Sequence, residues 1–111
     1  HFDRSHFSVN LILQTTPGRG GDFEYIPESR NAVDQAASWS EVEAMMRNRT
    51  ETPELQPGSL YLFAGNRSLH RVSPVEHGKR INAIFTYVEE EGARLNDYTL
   101  RKFFGRSRPD G

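Results

Sequence analysis

An all-β domain, a jelly roll or sandwich with one helical insertion, is the fold class that this sequence predicts. Three observations point to it. Short runs rich in β-branched and aromatic residues follow one another along the chain. Glycine and proline turns separate them. One stretch, from about Ala32 to Arg49, has the composition of a helix. With 111 residues there is room for one small domain at most.

Taken in order, His6 to Gln14 reads as the first strand, rich in β-branched and aromatic residues and free of breakers. Thr16 to Gly21 is a loop by composition. Asp22 to Ile26 alternates polar and apolar residues, the period of a half-buried strand, and Pro27 ends it. Next comes Ala32 to Arg49, with Asp34 or Asn31 as candidate caps and Ala36, Ala37, Val42, Ala44, Met45 and Met46 as helix formers. Its apolar face is thin, which places one helix or a pair of short ones on the surface. Thr50 to Pro53 returns to loop. Pro57-Gly58 marks a tight turn. Ser59 to Phe63 is a short strand, Ala64 to Arg67 a turn, and Leu69 to Val75 another strand. Gly78 breaks the chain, and Lys79 to Val88 is the longest strand candidate. Arg106 to Gly111 reads as a frayed tail.

Bulk properties narrow the functional classes. Fourteen basic and fifteen acidic side chains leave a formal charge of -1, so neither a nucleic-acid nor a membrane-surface partner is expected. No apolar run approaches the roughly 20 residues that span a bilayer, and the start has no signal-peptide pattern. Cysteine is absent, which excludes disulfides and thiolate metal sites. A reducing cytoplasm would suit a site that holds ferrous iron. The chain does not begin with Met, and a metal ligand at residue 1 reads as a cut just before the ligand in a longer protein.

The chemistry is concentrated in His1-Phe2-Asp3, the distant His70, and Arg80 ten residues beyond it. Two histidines and one carboxylate are the ligand set of a non-haem Fe(II) facial triad, which leaves three coordination positions open. His1 and Asp3 are two residues apart, so on a strand both side chains fall on one face. The donor mixture suits Fe(II), Mn(II) or Co(II). His-x-Asp alone is a weak signal, and a lone histidine in a strand is more often a hydrogen-bonded side chain than a ligand. His6 and His77 read as that kind of residue. The combination of the three ligands with Arg80 is what carries the reading.

On its strand, Arg80 groups with Asn82, Ile84 and Thr86 on one face, against Ile81, Ala83, Phe85 and Tyr87 on the other. An inward arginine needs a partner, because an isolated buried charge is prohibitive. A dicarboxylate supplies one, since the flat guanidinium can give two parallel bonds to a carboxylate. Arg4 and Arg71, beside the ligands, are expected to point away. Tyr61 and Phe63 read as core, and Trp39 as a lid over the entrance or a surface anchor.

These residues resemble the C-terminal half of the Fe(II)/2-oxoglutarate-dependent oxygenases, a superfamily with a double-stranded β-helix fold. The resemblance rests on His1-x-Asp3, His70 and Arg80. It also rests on the segment Pro57 to Gly65 followed by Leu69 to Val75, and on Gly20-Gly21 leading into Asp22 to Pro27. It covers residues 1–106, as the C-terminal part of a jelly-roll domain, with 107–111 as a tail. It is similar above all to the bacterial branch that hydroxylates or halogenates free or lightly modified amino acids, a branch that Phe104-Gly105-Arg106 also fits.

The resemblance implies that His1, Asp3 and His70 hold Fe(II) and that Arg80 holds the remote carboxylate of 2-oxoglutarate. It further implies that dioxygen and a small-molecule substrate complete the reaction. Many relatives carry Ser or Thr where this chain has Asn82, whose amide can still donate to the same carboxylate. Halogenases of the branch replace the carboxylate ligand by a small residue so that chloride can bind iron; here Asp3 is intact, which points to a hydroxylase. Two other readings are an oxygenase acting on a peptide or protein side chain and a non-catalytic jelly-roll or cupin-type metal-binding module.

Overall fold

The structure, a computed structural model, describes residues 1–106, so most of the expected tail lies outside the described residues. Among the described residues, five strands and three helices follow in the order β1 (Phe7–Gln14), β2 (Phe23–Ile26), α1 (Arg30–Asp34), α2 (Trp39–Arg49), β3 (Leu60–Phe63), β4 (Leu69–Val72), β5 (Ile81–Tyr87) and α3 (Asp97–Phe104). The strands form two small antiparallel sheets, one ordered β3-β1-β5 and the other β2-β4. The chain is thus mainly β, as expected, but neither sheet closes on itself into a barrel.

β1 is the central strand of the larger sheet and explains its two faces. Ser8, Asn10 and Ile12 are buried, whereas the residues between them are half-buried or exposed. Ser8 lies opposite Phe63 and Thr86, Asn10 opposite Tyr61 and Ile84, and Ile12 opposite Asn82. Because successive side chains alternate, these residues share the inner face. It is unusually polar: Asn10 Nδ2 donates to Ser8 Oγ at 2.8 Å, with both residues buried. The outer face carries Leu60, Leu62 and Phe85, all exposed.

In the smaller sheet Phe23 and Tyr25 share a face with Val72 and His70. The buried Phe23 ring reaches Tyr61 at 5.4 Å and meets Phe63 edge-on at 4.9 Å, and so joins the two sheets. On the opposite face Ile26 is buried, and β2 contacts α2, whose buried residue is Val42. Ile12, Phe23, Ile26 and Val42 are the buried apolar residues among those described.

Two expectations about helices are corrected. Of the two forms expected for the stretch from Ala32 to Arg49, the structure has the pair of short helices, but neither Asn31 nor Asp34 caps them; Ser29 and Ser38 occupy those positions. Ser38 Oγ accepts from Glu41 N, and Glu41 Oε2 accepts from Ala37 N at 3.0 Å, a near relative of the Ser-x-x-Glu capping box. Nor is this the only helical stretch. Asn96 caps α3 by accepting from Thr99 N at 2.9 Å, and Gly105, at φ 63°, closes it in the left-handed conformation.

Candidate metal centre

His1 and Asp3 do not belong to a strand; they lie in the segment ahead of β1. What sets their direction is pairing with the chain around His70. The His1 nitrogen donates to the His70 carbonyl at 2.9 Å, and His70 N donates back to the His1 carbonyl at 3.1 Å. Asp3 N donates to the Gly65 carbonyl at 2.9 Å. Between the two ligands, Phe2 lies under the Arg30 guanidinium at 4.8 Å, a cation–π contact.

The outcome is a triangle of donors. Asp3 Oδ1 stands 3.4 Å from His1 Nε2 and 3.4 Å from His70 Nε2. One donor atom from each of the three residues lies within 4.8 Å of the others. His70 is the most enclosed, with 9% of its side chain exposed against 56% for His1. Its Nδ1 lies 3.0 Å from the Ser68 carbonyl. A carbonyl only accepts, so this bond puts a proton on Nδ1 and leaves Nε2 turned toward the centre. Burial raises the Asp3 pKa, but the two imidazoles outweigh it and hold the carboxyl well below the usual carboxylate range. The site is therefore an anionic oxygen between two imidazole nitrogens, a donor set for a borderline divalent cation.

Hydroxyls secure the approach to His70. Ser29, fully buried, donates from Oγ to the Ile26 carbonyl and accepts from Leu69 N, each at 2.8 Å. Ser68 Oγ accepts from Glu28 N at 3.1 Å. Glu28 itself takes the left-handed conformation, at φ 48°, and its carboxylate pairs with Arg67 at 2.8 Å. None of these residues stood out in the sequence.

Arg80 immediately precedes β5 and is half-buried. Its Nη1 donates to Asn82 Oδ1 at 2.6 Å, so the Asn82 amide presents its oxygen to the guanidinium. Tyr61, expected to be core, also meets Arg80 with its hydroxyl: burial pushes the phenol pKa up and the neighbouring guanidinium opposes that shift. A run of ring contacts leads back to the triangle, from Tyr61 to Phe23 at 5.4 Å, Phe23 to Phe63 at 4.9 Å and Phe63 to His70 at 4.9 Å.

Of the remaining cations, Arg71 pairs with Glu24 across the smaller sheet, on the face away from His70. Trp39 is exposed, with its indole N–H donating to Glu43 at 2.9 Å. It borders a small cleft together with Tyr25, Met46, Thr50, His1 and His70. Phe103 of α3 brings its ring within 6.3 Å of the His1 ring. No helix among the described residues is long and apolar enough to cross a membrane.

The chain matches no curated protein and no solved structure. A family model for Halogenase D matches residues 1–100. That match spans most of the chain, which belongs to the Halogenase D family.

Proposed function

We propose that this chain carries the metal-binding part of an Fe(II)- and 2-oxoglutarate-dependent hydroxylase. Its substrate is a small molecule, an amino acid or a derivative of one. The observation that carries this reading is the Asp3 carboxylate, whose Oδ1 stands 3.4 Å from both imidazole nitrogens. Family membership alone would suggest halogenation. A halogenating centre needs a ligand position free for halide, and in this chain a protein carboxylate faces that position.

In this reading His1, Asp3 and His70 hold the iron, and Arg80, with Asn82 and Tyr61 beside it, holds the far carboxylate of 2-oxoglutarate. The bound metal supplies the chemistry in which 2-oxoglutarate, dioxygen and a substrate C–H give succinate, carbon dioxide and an alcohol. The protein's part is placement. The His70 tautomer is held by the Ser68 carbonyl at 3.0 Å. The rings of Phe63, Phe23 and Tyr61 run between the triangle and Arg80, and apolar walls beside the co-substrate would strengthen its pairing with the guanidinium.

The test is an incubation with Fe(II), 2-oxoglutarate, candidate amino acids and chloride or bromide, read by succinate release and by the mass of the product. Hydroxylated product is expected even at high halide, and His70→Ala is expected to fall to background. A halogenated product would overturn the hydroxylase assignment, and equal turnover by His70→Ala would overturn the metal centre.

A further inference from the structure

We propose that Gly65 is a positioning residue whose bare Cα seats the Asp3 carboxylate so that Oδ1 alone is presented to the metal. The inference rests on the metal-centre reading above and extends it to a residue outside the ligand set. Gly65 is buried in the turn between β3 and β4. Unlike Gly58, Gly78 or Gly105, it does not have a left-handed φ, so its backbone conformation alone would admit a side chain. Space is what forbids one. A Cβ at this position would lie 2.1 Å from Asp3 Oδ2, 2.6 Å from Asp3 Cγ and 2.9 Å from His70 Cε1.

The two carboxylate oxygens thus have different surroundings. Oδ1 faces both imidazoles, and Oδ2 packs on the Gly65 backbone. The same residue also clamps the ligand's main chain, because the Gly65 carbonyl accepts from Asp3 N at 2.9 Å. The carboxylate therefore cannot back away from a new side chain by sliding the backbone without losing that bond. It would have to rotate, and rotation moves Oδ1 off the point equidistant from the two nitrogens. Ligation through one oxygen is also what keeps three positions of an octahedral ion vacant; a two-oxygen grip would occupy one of them.

Four forms of the protein test this: wild type, Gly65→Ala, Asp3→Ala and the double variant. Co(II) is titrated against each and followed by its visible absorption, and thermal unfolding is measured without metal. Gly65→Ala is expected to bind Co(II) about 10- to 100-fold more weakly, the range for losing a residue that orients a ligand, with shifted absorption bands. It is also expected to lower the metal-free Tm more when Asp3 is present than when Asp3 is Ala, because removing the carboxylate removes the main collision.

Unchanged Co(II) affinity and spectrum in Gly65→Ala, or the same loss of Tm in both backgrounds, would overturn the proposal. If Gly65→Ala fails to fold, recovery of folding in the double variant supports it and continued failure overturns it. A wild-type protein that binds no Co(II) overturns the metal-centre reading and this inference with it. Wild-type binding that Gly65→Ala leaves untouched overturns this inference alone.

Discussion

The two sheets hold their candidate side chains, His70 and Arg80, in opposite ways. In the smaller β2-β4 sheet His70 and the residues before it are tied by the backbone and by a buried hydroxyl. The ring is only 9% exposed, its Nδ1 meets a carbonyl, and Leu69 N is held by Ser29 Oγ. In the larger β3-β1-β5 sheet, Arg80 is a long side chain resting on Asn82 and Tyr61, groups that a ligand could share or replace. On the proposed function, the difference matches what each end would bind. A metal ion tolerates little error in donor position. A guanidinium on a flexible stem can follow a carboxylate through its fork of donors. Rigidity belongs at the first end and adaptability at the second.

The largest expected effect that sharpens this contrast is at the adaptable end. Arg80→Lys keeps the charge but loses the planar fork. Removing a charge-assisted hydrogen bond costs roughly 1.5–3 kcal/mol, which corresponds to about a 10- to 100-fold rise in the KM for 2-oxoglutarate. Mn(II) affinity without co-substrate is expected to stay at the wild-type value, since Arg80 is not part of the donor triangle. Titration of Mn(II) followed by thermal-shift measurement with added 2-oxoglutarate separates the two. A loss of Mn(II) binding in Arg80→Lys would show that the two ends are not independent.

At the rigid end, Ser29→Ala is expected to act through the fold. The hydroxyl both donates to Ile26 O and accepts from Leu69 N, and the residue has no exposed surface. Alanine would leave a part-buried N–H and a buried carbonyl without that partner, at a cost of about 1–3 kcal/mol. Urea unfolding of the metal-free protein reads this directly. Because Leu69 precedes His70, Mn(II) affinity should fall in the same variant. Ser29→Thr, which keeps the hydroxyl, should recover the affinity if the hydroxyl rather than the volume matters. Unchanged unfolding in Ser29→Ala would remove the claim that this end is held by its hydroxyls.

How much of this was legible in the sequence differs residue by residue. The chemical identity of His1, Asp3 and His70 was enough to single them out as candidates, and the structure brings them together, although the reason given for His1 and Asp3 sharing a direction, membership of a strand, is not what the structure displays. Pairing with His70 and Gly65 aligns them instead, and long-range pairing partners cannot be read from local composition. The face of Arg80, Asn82, Ile84 and Thr86 followed from strand alternation, and the pairing of β5 with β1 sets Asn82, Ile84 and Thr86 opposite Ile12, Asn10 and Ser8. Tyr61 was invisible as a neighbour of Arg80, because that contact depends on the register of two strands on either side of β1. Gly65 was read as one residue of a turn, since nothing in the sequence distinguishes a glycine needed for space from one needed for φ. The cap at Ser38 and the helix from Asn96 to Gly105 carried recognisable signals, Ser-x-x-Glu and an Asn start with a Gly stop. Asn31 and Asp34 competed for the first role, while the chain reverses earlier, at Glu28.

The smallest expected effect probes the face of the larger sheet that points away from the chemistry. Leu62 is 69% exposed and lies opposite Val9, on the side of the sheet away from Asn10 and Tyr61. Its side chain stays in contact with water in this chain, so its burial contributes little to stability, in contrast to Phe23, which is 7% exposed and joins the sheets. Leu62→Thr keeps strand propensity through a β-branched residue and removes apolar surface. The change in unfolding free energy should lie within about 0.5 kcal/mol, the usual range for surface substitutions, and Mn(II) affinity should not move. A larger destabilisation would mean that this face is covered in the folded protein, and the larger sheet would then be anchored on both sides. The flexibility assigned to Arg80 would have to come from its side chain alone, with no contribution from the strand that follows it.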